Sequence, residues 1–548
     1  MHLYYKTKTS EQTVATSVRF GECSMEVPLT PLDFARRARK LYPQREAVVD
    51  GSQRFTYAEF LDRCDRWSGA LQKLGVGKGD RVAVISPNTH AMLESFYGIP
   101  QLGAIIVPLN YRLTPADFHY LIEHSGATVL GVHSDYLDAI DGIRARLPDV
   151  KHFIAFEGAR TGWLDYESLL AASPARFTNS PVIETDVIAI NYTSGTTSRP
   201  KGVMITHRNA WMNSVGTLVH HPMSTADRYL WTLPMFHANG WTFVWTVTAI
   251  GATHLCLRKV DPTEIYAQIT REKATVLCAA PTVLIGIANG PPEARRQLPK
   301  NVRVITAGAA PAPAIIERIE GDLGWTVTHV YGLTETAPFI TVSDVLPEHA
   351  AFDPRDKAIA KARQGVELVT SGETAVVDEN GIEVPNDGKT LGEIVTRGNV
   401  VMTGYYKDPD ATAKALRGGW FHTGDAAVVH PDAYIEIRDR FKDVIISGGE
   451  NISSIEVEGV LLQHPAVLEV AVVGVSDEKW GETPHAFVVL RNAASATGED
   501  LRQFARSHLA HFKVPHMYTF VQELPKTATG KIQKYVLRRP PGASATPQ

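Results

Sequence analysis

The sequence predicts an α/β protein, with a large N-terminal domain of doubly wound parallel sheets and a small α+β domain after it. Strand-like and helix-like segments alternate from about Thr30 onward, the pattern of parallel sheets covered on both faces. Three polar or Gly-rich stretches directly follow strand-like runs, where ligands bind in doubly wound sheets. Near Phe441 the pattern shifts to short strands, a Gly-rich turn and new helices. A chain of 548 residues also exceeds what one hydrophobic core serves.

The elements follow in order. TPLDFARRARKLY has helical spacing, with Thr30 as its expected cap. EAVVDGSQRFTY reads as a hairpin turning at Asp50-Gly51. TYAEFLDRCDRWSGALQKLGV is an amphipathic helix ended by Gly75, and RVAVISP, ATVLGV and HFIAF are strands. GWTFVWTVTAIGATHLCL is too interrupted for a membrane span and reads as a buried helix, then a strand. ATVLCAAP, VRVITAGAAP and TVTHVYGLTE repeat the rhythm, and EVEGVLLQHPAVLEVAVVGV, HAFVVL and LRQFARSHLA build the small domain. The tail RRPPGASATPQ is expected to be disordered.

Composition excludes several classes. A net charge of −4 argues against nucleic-acid binding through bulk charge. Cys23, Cys64, Cys256 and Cys278 are scattered, without a C-x-x-C, so neither a cysteine zinc site nor a disulfide framework is expected. Buried free thiols in reducing cytosol are. The N-terminus lacks an apolar core of signal-peptide length.

Two decoys fail on spacing. NYTSGTTSRPKGV is not a Walker loop: counted from Gly195, the second glycine position is Pro200, and Gly202 follows Lys201 where Ser or Thr belongs. Gly388-Lys389-Thr390 has Glu383 at the first glycine position and reads as a turn. The first stretch still suits an anion. Thr193, Ser194, Thr196 and Thr197 offer hydroxyls, Gly195 permits close backbone approach, and Lys201 adds a charge; the alternative is a solvated Ser/Thr loop. YGLTET offers Tyr331 for purine stacking and Glu335 for a hard cation or a helix cap. WFHTGD places Asp425 to accept ribose hydroxyls or to form an Asx turn. PKTATGKIQK presents Lys531 on a Thr/Gly loop, as a phosphate ligand or a plain surface lysine.

Taken together, YTSGTTSRPKG, YGLTE, WFHTGD, DRFKDVIISGGENIS and PKTATGK closely resemble the signatures of the AMP-forming adenylating superfamily, which includes acyl-CoA synthetases, peptide-synthetase adenylation domains and luciferase. The resemblance runs from about Thr30 to Lys534. It implies an N-terminal ATP- and acid-binding domain (1–441) with a β-barrel-like subdomain, a mobile C-terminal domain (442–537) and a tail (538–548).

By that resemblance Thr193, Ser194, Gly195, Thr196, Thr197 and Lys201 surround the β- and γ-phosphates, with Thr196 and Glu335 at Mg²⁺. Gly308, Ala309 and Ala310 line the adenine with Tyr331, joined by Gly332 and Thr334. His329 stands where the family often carries Gln or Asn. Asp425 holds the ribose, with Arg440 nearby, and Lys531 assists adenylation. Lys442 is the hinge, and Ser447, Gly448 and Gly449 border the coenzyme A tunnel. His237 borders the acid carboxylate. Trp241 gates the acyl pocket or is an ordinary core residue, and Gly332, Thr336, Ala337 and Pro338 form the pocket wall. Ser198 replaces a usual glycine.

The resemblance is closest to fatty or medium-chain acyl-CoA synthetases, and the implied reaction is ATP-dependent activation of a fatty or other hydrophobic carboxylic acid to acyl-AMP with release of pyrophosphate, then transfer to coenzyme A. Alternatives are a ligase that loads an acyl carrier protein, and a non-catalytic nucleotide-binding protein. A homodimer is compatible with either enzyme; a nucleic-acid partner and integral membrane association are not expected.

Overall fold

The computed structural model describes residues 26–178, 180–193, 199–296, 298–440, 443–448, 450–477, 479–491, 494–526 and 532–538. Ser194, Gly195, Thr196, Thr197, Ser198, Lys442, Gly449, Lys531 and Cys23 lie outside the described residues.

Among the described residues the strands form four sheets. An eight-stranded sheet has a parallel centre in which Arg81–Ile85 lies between Ile105–Leu109 and Val129–Val132. At one edge Val187–Tyr192 pairs antiparallel with Gly202–Thr206, which pairs in turn with the two-residue strand Gly404–Tyr405. A nine-stranded sheet is parallel through Arg228–Leu230, Val276–Ala279, Arg303–Thr306 and Thr326–Gly332. These strands are buried runs rich in Val, Ile and Leu, as two-sided burial requires.

The barrel-like subdomain is a four-stranded antiparallel sheet, Glu373–Val377, Gly392–Arg397, Phe421–Val429 and Ile435–Arg440. The C-terminal unit is a five-stranded sheet built on the long hairpin Val467–Asp477 and Gly481–Leu490. Its own core includes Ile445, Val457, Leu461, Val470, Val488 and Leu501.

The main core joins residues of both large sheets, with Trp67, Trp231, Trp245, Tyr57 and Phe96 fully buried in it. The expected buried helix is Phe243–Ile250, in which Phe243 through Ala249 are all buried, so its apolar residues need no single face. The hairpin turns at Asp50-Gly51, as expected.

Helix Tyr57–Lys73 begins with a capping box, in which Thr56 accepts from the Glu59 N–H while the Glu59 carboxylate takes the Thr56 N–H. Thr30 serves the helix start from one residue outside the cap position: its hydroxyl accepts from the Leu32 N–H (3.2 Å). The helix is Leu32–Leu41, its cap position is Pro31, and the Thr30 hydroxyl lies 2.8 Å from His207 Nδ1 across 177 residues of sequence. The same hydroxyl thus serves both the helix start that local reading assigned to it and a tertiary partner.

Cys64, Cys256 and Cys278 are buried free thiols. Among the described residues no helix is long and apolar enough to cross a membrane.

Candidate active site

Three sheets meet where their strands end. Val187–Tyr192 runs out at Thr193, whose N–H donates to the Lys201 carbonyl (3.0 Å) and closes the base of the phosphate loop. Lys201 Nζ lies 4.7 Å from the centre of the Tyr405 ring. The Tyr405 hydroxyl donates to Glu335 Oε1 (2.9 Å), and the Glu335 carbonyl accepts from the Met402 N–H (2.7 Å). A lysine just before a strand of the eight-stranded sheet and a carboxylate in the turn after a strand of the nine-stranded sheet thus share one tyrosine. Burial raises the Glu335 carboxyl above the usual range, and the Tyr405 hydroxyl only partly offsets it. Sequence reading missed Tyr405. Its signal was the tyrosine pair in GYYKD, but nothing local connects that pair to Glu335.

The nucleotide end is built on Thr326–Gly332 and the antiparallel pair Phe421–Val429 and Ile435–Arg440. The Tyr331 hydroxyl donates to Asp425 Oδ2 (2.7 Å), and Arg440 Nε approaches Asp425 Oδ1 at 3.2 Å. Asp425 and Arg440 are register partners, so strand pairing itself brings the charges together. The Asp425 carboxylate is 7% exposed and held from both sides, which fixes the directions of its remaining lone pairs. Gly308, Ala309 and Ala310 are exposed just past strand Arg303–Thr306. His329 points its Nδ1 at the Ala362 and Arg363 carbonyls (3.0 and 2.8 Å), and burial pushes the ring down to about 4, so it is neutral near pH 7.

Gly332 is required by packing: a Cβ there would lie 1.8 Å from the Pro338 carbonyl oxygen. The Thr336 hydroxyl is used inside the same turn, where it accepts from the Leu333 N–H (2.9 Å) and meets the Leu333 and Pro338 carbonyls. Thr334 and Glu335 share the single turn Thr334–Thr336, and Ala337 is buried with Pro338 beside it.

At the acid end the backbone is unusual. Ala238, Asn239, Gly240, Trp241 and Thr242 have φ of 37°, 47°, 54°, 50° and 69°, a left-handed turn directly after His237. Each non-glycine residue there costs roughly 1–2 kcal/mol, so surrounding contacts must impose it. Asn191 Nδ2 donates to the Phe236 carbonyl (3.0 Å) and to Asn239 Oδ1 (3.2 Å), and Ser214 and Thr242 share a hydroxyl bond of 2.6 Å. Asn88 holds the Trp231 and Leu233 carbonyls. Asn191 sits two residues before Thr193, and its side chain holds the turn that follows His237. Asn88, Asn191 and Asn239 were all missed from sequence, because nothing local marks a left-handed turn beyond Gly240. The Trp241 ring lies edge-on against Phe339, with centroids 5.9 Å apart.

In the C-terminal sheet Gly448 has φ of 58°, and a Cβ there would lie 2.9 Å from Trp480 Cε3. The Trp480 ring is thus a second reason for glycine beside the tunnel passage expected of it. Ser447 is buried and pairs with Glu450 and Gly481.

The sequence pattern of the AMP-binding enzyme family matches residues 34–406, and that of the AMP-binding enzyme C-terminal domain matches 456–531. The chain belongs to the AMP-binding enzyme family. It is 43% identical over 526 residues to 4-hydroxybutyrate–CoA ligase 2 of Metallosphaera sedula, covering 94% of this chain and 95% of that protein. It is also 43% identical over 537 residues to a peroxisomal acetate/butyrate–CoA ligase of Arabidopsis thaliana, covering 93% and 94%. Its structure superposes on an anthranilate CoA ligase in complex with anthranoyl-AMP with a TM-score of 0.85 at 25% identity, covering 93% and 97% of the two chains.

Within this AMP-binding enzyme, the contacts above form two groups, Lys201–Tyr405–Glu335 and Tyr331–Asp425–Arg440, which the short run from Tyr331 to Glu335 connects along the chain. A cavity of about 180 Å³ beside Lys201 is lined by Tyr120, His124, Arg199, Pro200, Tyr406 and Asp408, side chains of both charges.

Proposed function

We propose that this acyl-CoA synthetase acts on short aliphatic acids, of acetate to butyrate size. The observation that carries the reading is Trp241 set edge-on against Phe339 beside the His237 turn: two buried rings leave little depth for a long acyl chain. Relatives named for acetate, butyrate, 4-hydroxybutyrate and 2-methylpropanoate support the same size class.

In the first half-reaction a carboxylate oxygen bonds to the α-phosphorus of ATP. The α–β bridging bond breaks, and its electron pair leaves with pyrophosphate. Asp425, oriented by Tyr331 and Arg440, accepts the ribose hydroxyls. Tyr331 and Gly308 to Ala310 frame the adenine, with His329 neutral behind them. Lys201 and the loop Thr193 to Thr197 hold the departing pyrophosphate, and Lys531 offsets the charge on the phosphate. In the second half-reaction the coenzyme A sulfur bonds to the acyl carbon, the acyl C–O bond breaks, and AMP leaves with the electron pair. Rotation at Lys442, between domains 1–441 and 442–537, exchanges Lys531 for Ser447, Gly448 and Gly449 at the site.

Thr196 and Glu335 would hold Mg²⁺. Glu335 fits the ion: it is a hard oxygen donor whose carboxyl is raised by burial, and a neighbouring cation would restore its ionised form. Bound there, Mg²⁺ supplies positive charge where two anions are brought together. The buried thiols favour a reducing compartment, the cytoplasm, over an oxidising one.

The test is a panel of acids assayed by pyrophosphate release, with coenzyme A and with an acyl carrier protein as acceptor. Turnover highest for acetate to butyrate, with coenzyme A accepted, is expected. A maximum at long chains overturns the size assignment, and transfer only to carrier protein replaces the acceptor. Fractionation and size-exclusion chromatography test the compartment and a homodimer.

A further inference from the structure

The strand Ile435–Arg440 reaches in two directions. Arg440 turns to Asp425 at the ribose position. Its neighbour Asp439, 3% exposed, turns to the start of helix Ser454–Leu461. There Asp439 Oδ2 accepts from the Ser454 N–H (2.8 Å) and from the Ser454 hydroxyl. Ser453, which caps this helix, donates its hydroxyl to the Arg438 carbonyl.

A third element closes on the same serine. Lys534, on the short helix Lys534–Leu537, donates to Ser454 Oγ and pairs with Glu458 Oε1 at 2.8 Å. That Glu458 oxygen also accepts from the Val472 N–H (2.7 Å). Both side chains of the pair are 14% exposed. A charge so enclosed is expensive to leave without its partners, so the segment that carries it has one seat. Ile532 packs against the Ala471, Val489 and Leu524 cluster, and Arg538 pairs with Asp443 at 2.7 Å.

We propose that Lys534 is a positioning residue for adenylation: through Ser454 and Asp439 it seats the segment that follows Lys531 against the strand that carries the ribose site. The inference rests on the role of Lys531 given above. Lys531 is three residues from Lys534, so the relay sets where the chain that bears it is anchored relative to ATP. Asp439 and Ser454 lie on opposite sides of Lys442 in sequence. A rotation at Lys442 that separates them gives the relay up, so it belongs to one orientation of the C-terminal domain. Nothing in it holds Ser447 or Gly448, which are assigned to the other half-reaction.

The full-length enzyme is assayed twice. Acid-dependent ATP–pyrophosphate exchange reads adenylation, and thioester formation from supplied acyl-AMP and coenzyme A reads the second step. Lys534→Met is expected to lose exchange on the order of 10²-fold, the scale of a small misplacement of a catalytic group. Ser454→Ala, which leaves the Lys534–Glu458 pair intact, loses about tenfold by the same reasoning. Thioester formation stays within about twofold in both, because a contact used only for adenylation is silent there. Lys534→Arg restores most of the exchange.

Equal loss of both half-reactions in Lys534→Met and Ser454→Ala overturns the proposal in favour of a purely structural role. Unchanged exchange in Lys534→Met, with exchange lost in Lys531→Ala, overturns the relay alone. Exchange retained in Lys531→Ala overturns the assignment of Lys531 and the relay with it.

Discussion

The two ends of the active site are built by opposite means. At the nucleotide end, Tyr331, Asp425 and Arg440 sit on regular strands and are aligned by strand register, and their side chains do the holding. At the acid end the side chains that remain polar hold the backbone itself, bending residues 238–242 into a left-handed turn that sets His237 and Trp241. On the function proposed above, the charged nucleotide is met by charges on a rigid frame, and the acid is met by shape.

If that contrast is right, the largest effect belongs to the charged end. Asp425→Ala removes the ribose acceptor and strands Arg440 and Tyr331, and kcat/KM for ATP should fall on the order of 10²–10³-fold. A fall confined to the KM for the acid would break the contrast. Asn191→Ala comes next. It releases the Phe236 carbonyl and Asn239, and loss of buried hydrogen bonds of about 1–3 kcal/mol should appear as a raised KM for the acid. Steady-state kinetics with each substrate varied in turn would check this, and an equal change in the KM for ATP would show that the two ends are not separable. Trp241→Ala should move the preferred acid toward longer chains by about tenfold in relative kcat/KM, the size of a methylene or two in a pocket. An unchanged profile returns Trp241 to the core.

The smallest effect lies outside both ends and serves as the control. His90 is buried, which opposes its charge. Asp50, whose carboxylate lies 2.8 Å from Nδ1, outweighs this together with Glu167 and Glu94, and the ring is held up at about 9 from 6.5. Arg258, on the other side of Asp50, shares the same carboxylate. A folded-state value above the unfolded one contributes stability that is complete below pH 6.5 and is lost as pH rises through about 9. Tm should therefore fall between pH 6 and pH 9.5, by about 1 °C per kcal/mol of lost stability in a chain of this length. His90→Gln should flatten that slope while leaving the KM of both substrates in place.

The same contrast explains what was legible in the sequence. Motifs such as YGLTE and WFHTGD are local, and each keeps its chemistry within a few residues, so Tyr331, Glu335 and Asp425 could be named before their contacts were known. The alternating strands and helices and the hairpin at Asp50-Gly51 were legible for the same reason. Tyr405 was not, because it lies 70 residues from Glu335 and only the pairing of Gly404–Tyr405 with Gly202–Thr206 brings them together. Asn191 opened the polar run NYTSGTTSRPKGV with no role of its own assigned, and its two acceptors lie 45 and 48 residues away. Thr30 was legible in part: its hydroxyl meets the first helical N–H, at Leu32, but from one residue before the cap position, and its bond to His207 had no local signal.

The left-handed turn also bears on how this enzyme can be re-engineered. Its shape depends on Asn191, Ser214 and close packing at Gly240, where a Cβ would lie 2.5 Å from Trp231. A loop transplanted from an enzyme with another acid preference would arrive without those supports and relax to ordinary backbone geometry, carrying His237 away from its place. On the acid pocket proposed above, substrate range is better altered by exchanging single side chains at Trp241 and Phe339, with the strained backbone kept as a fixed mould.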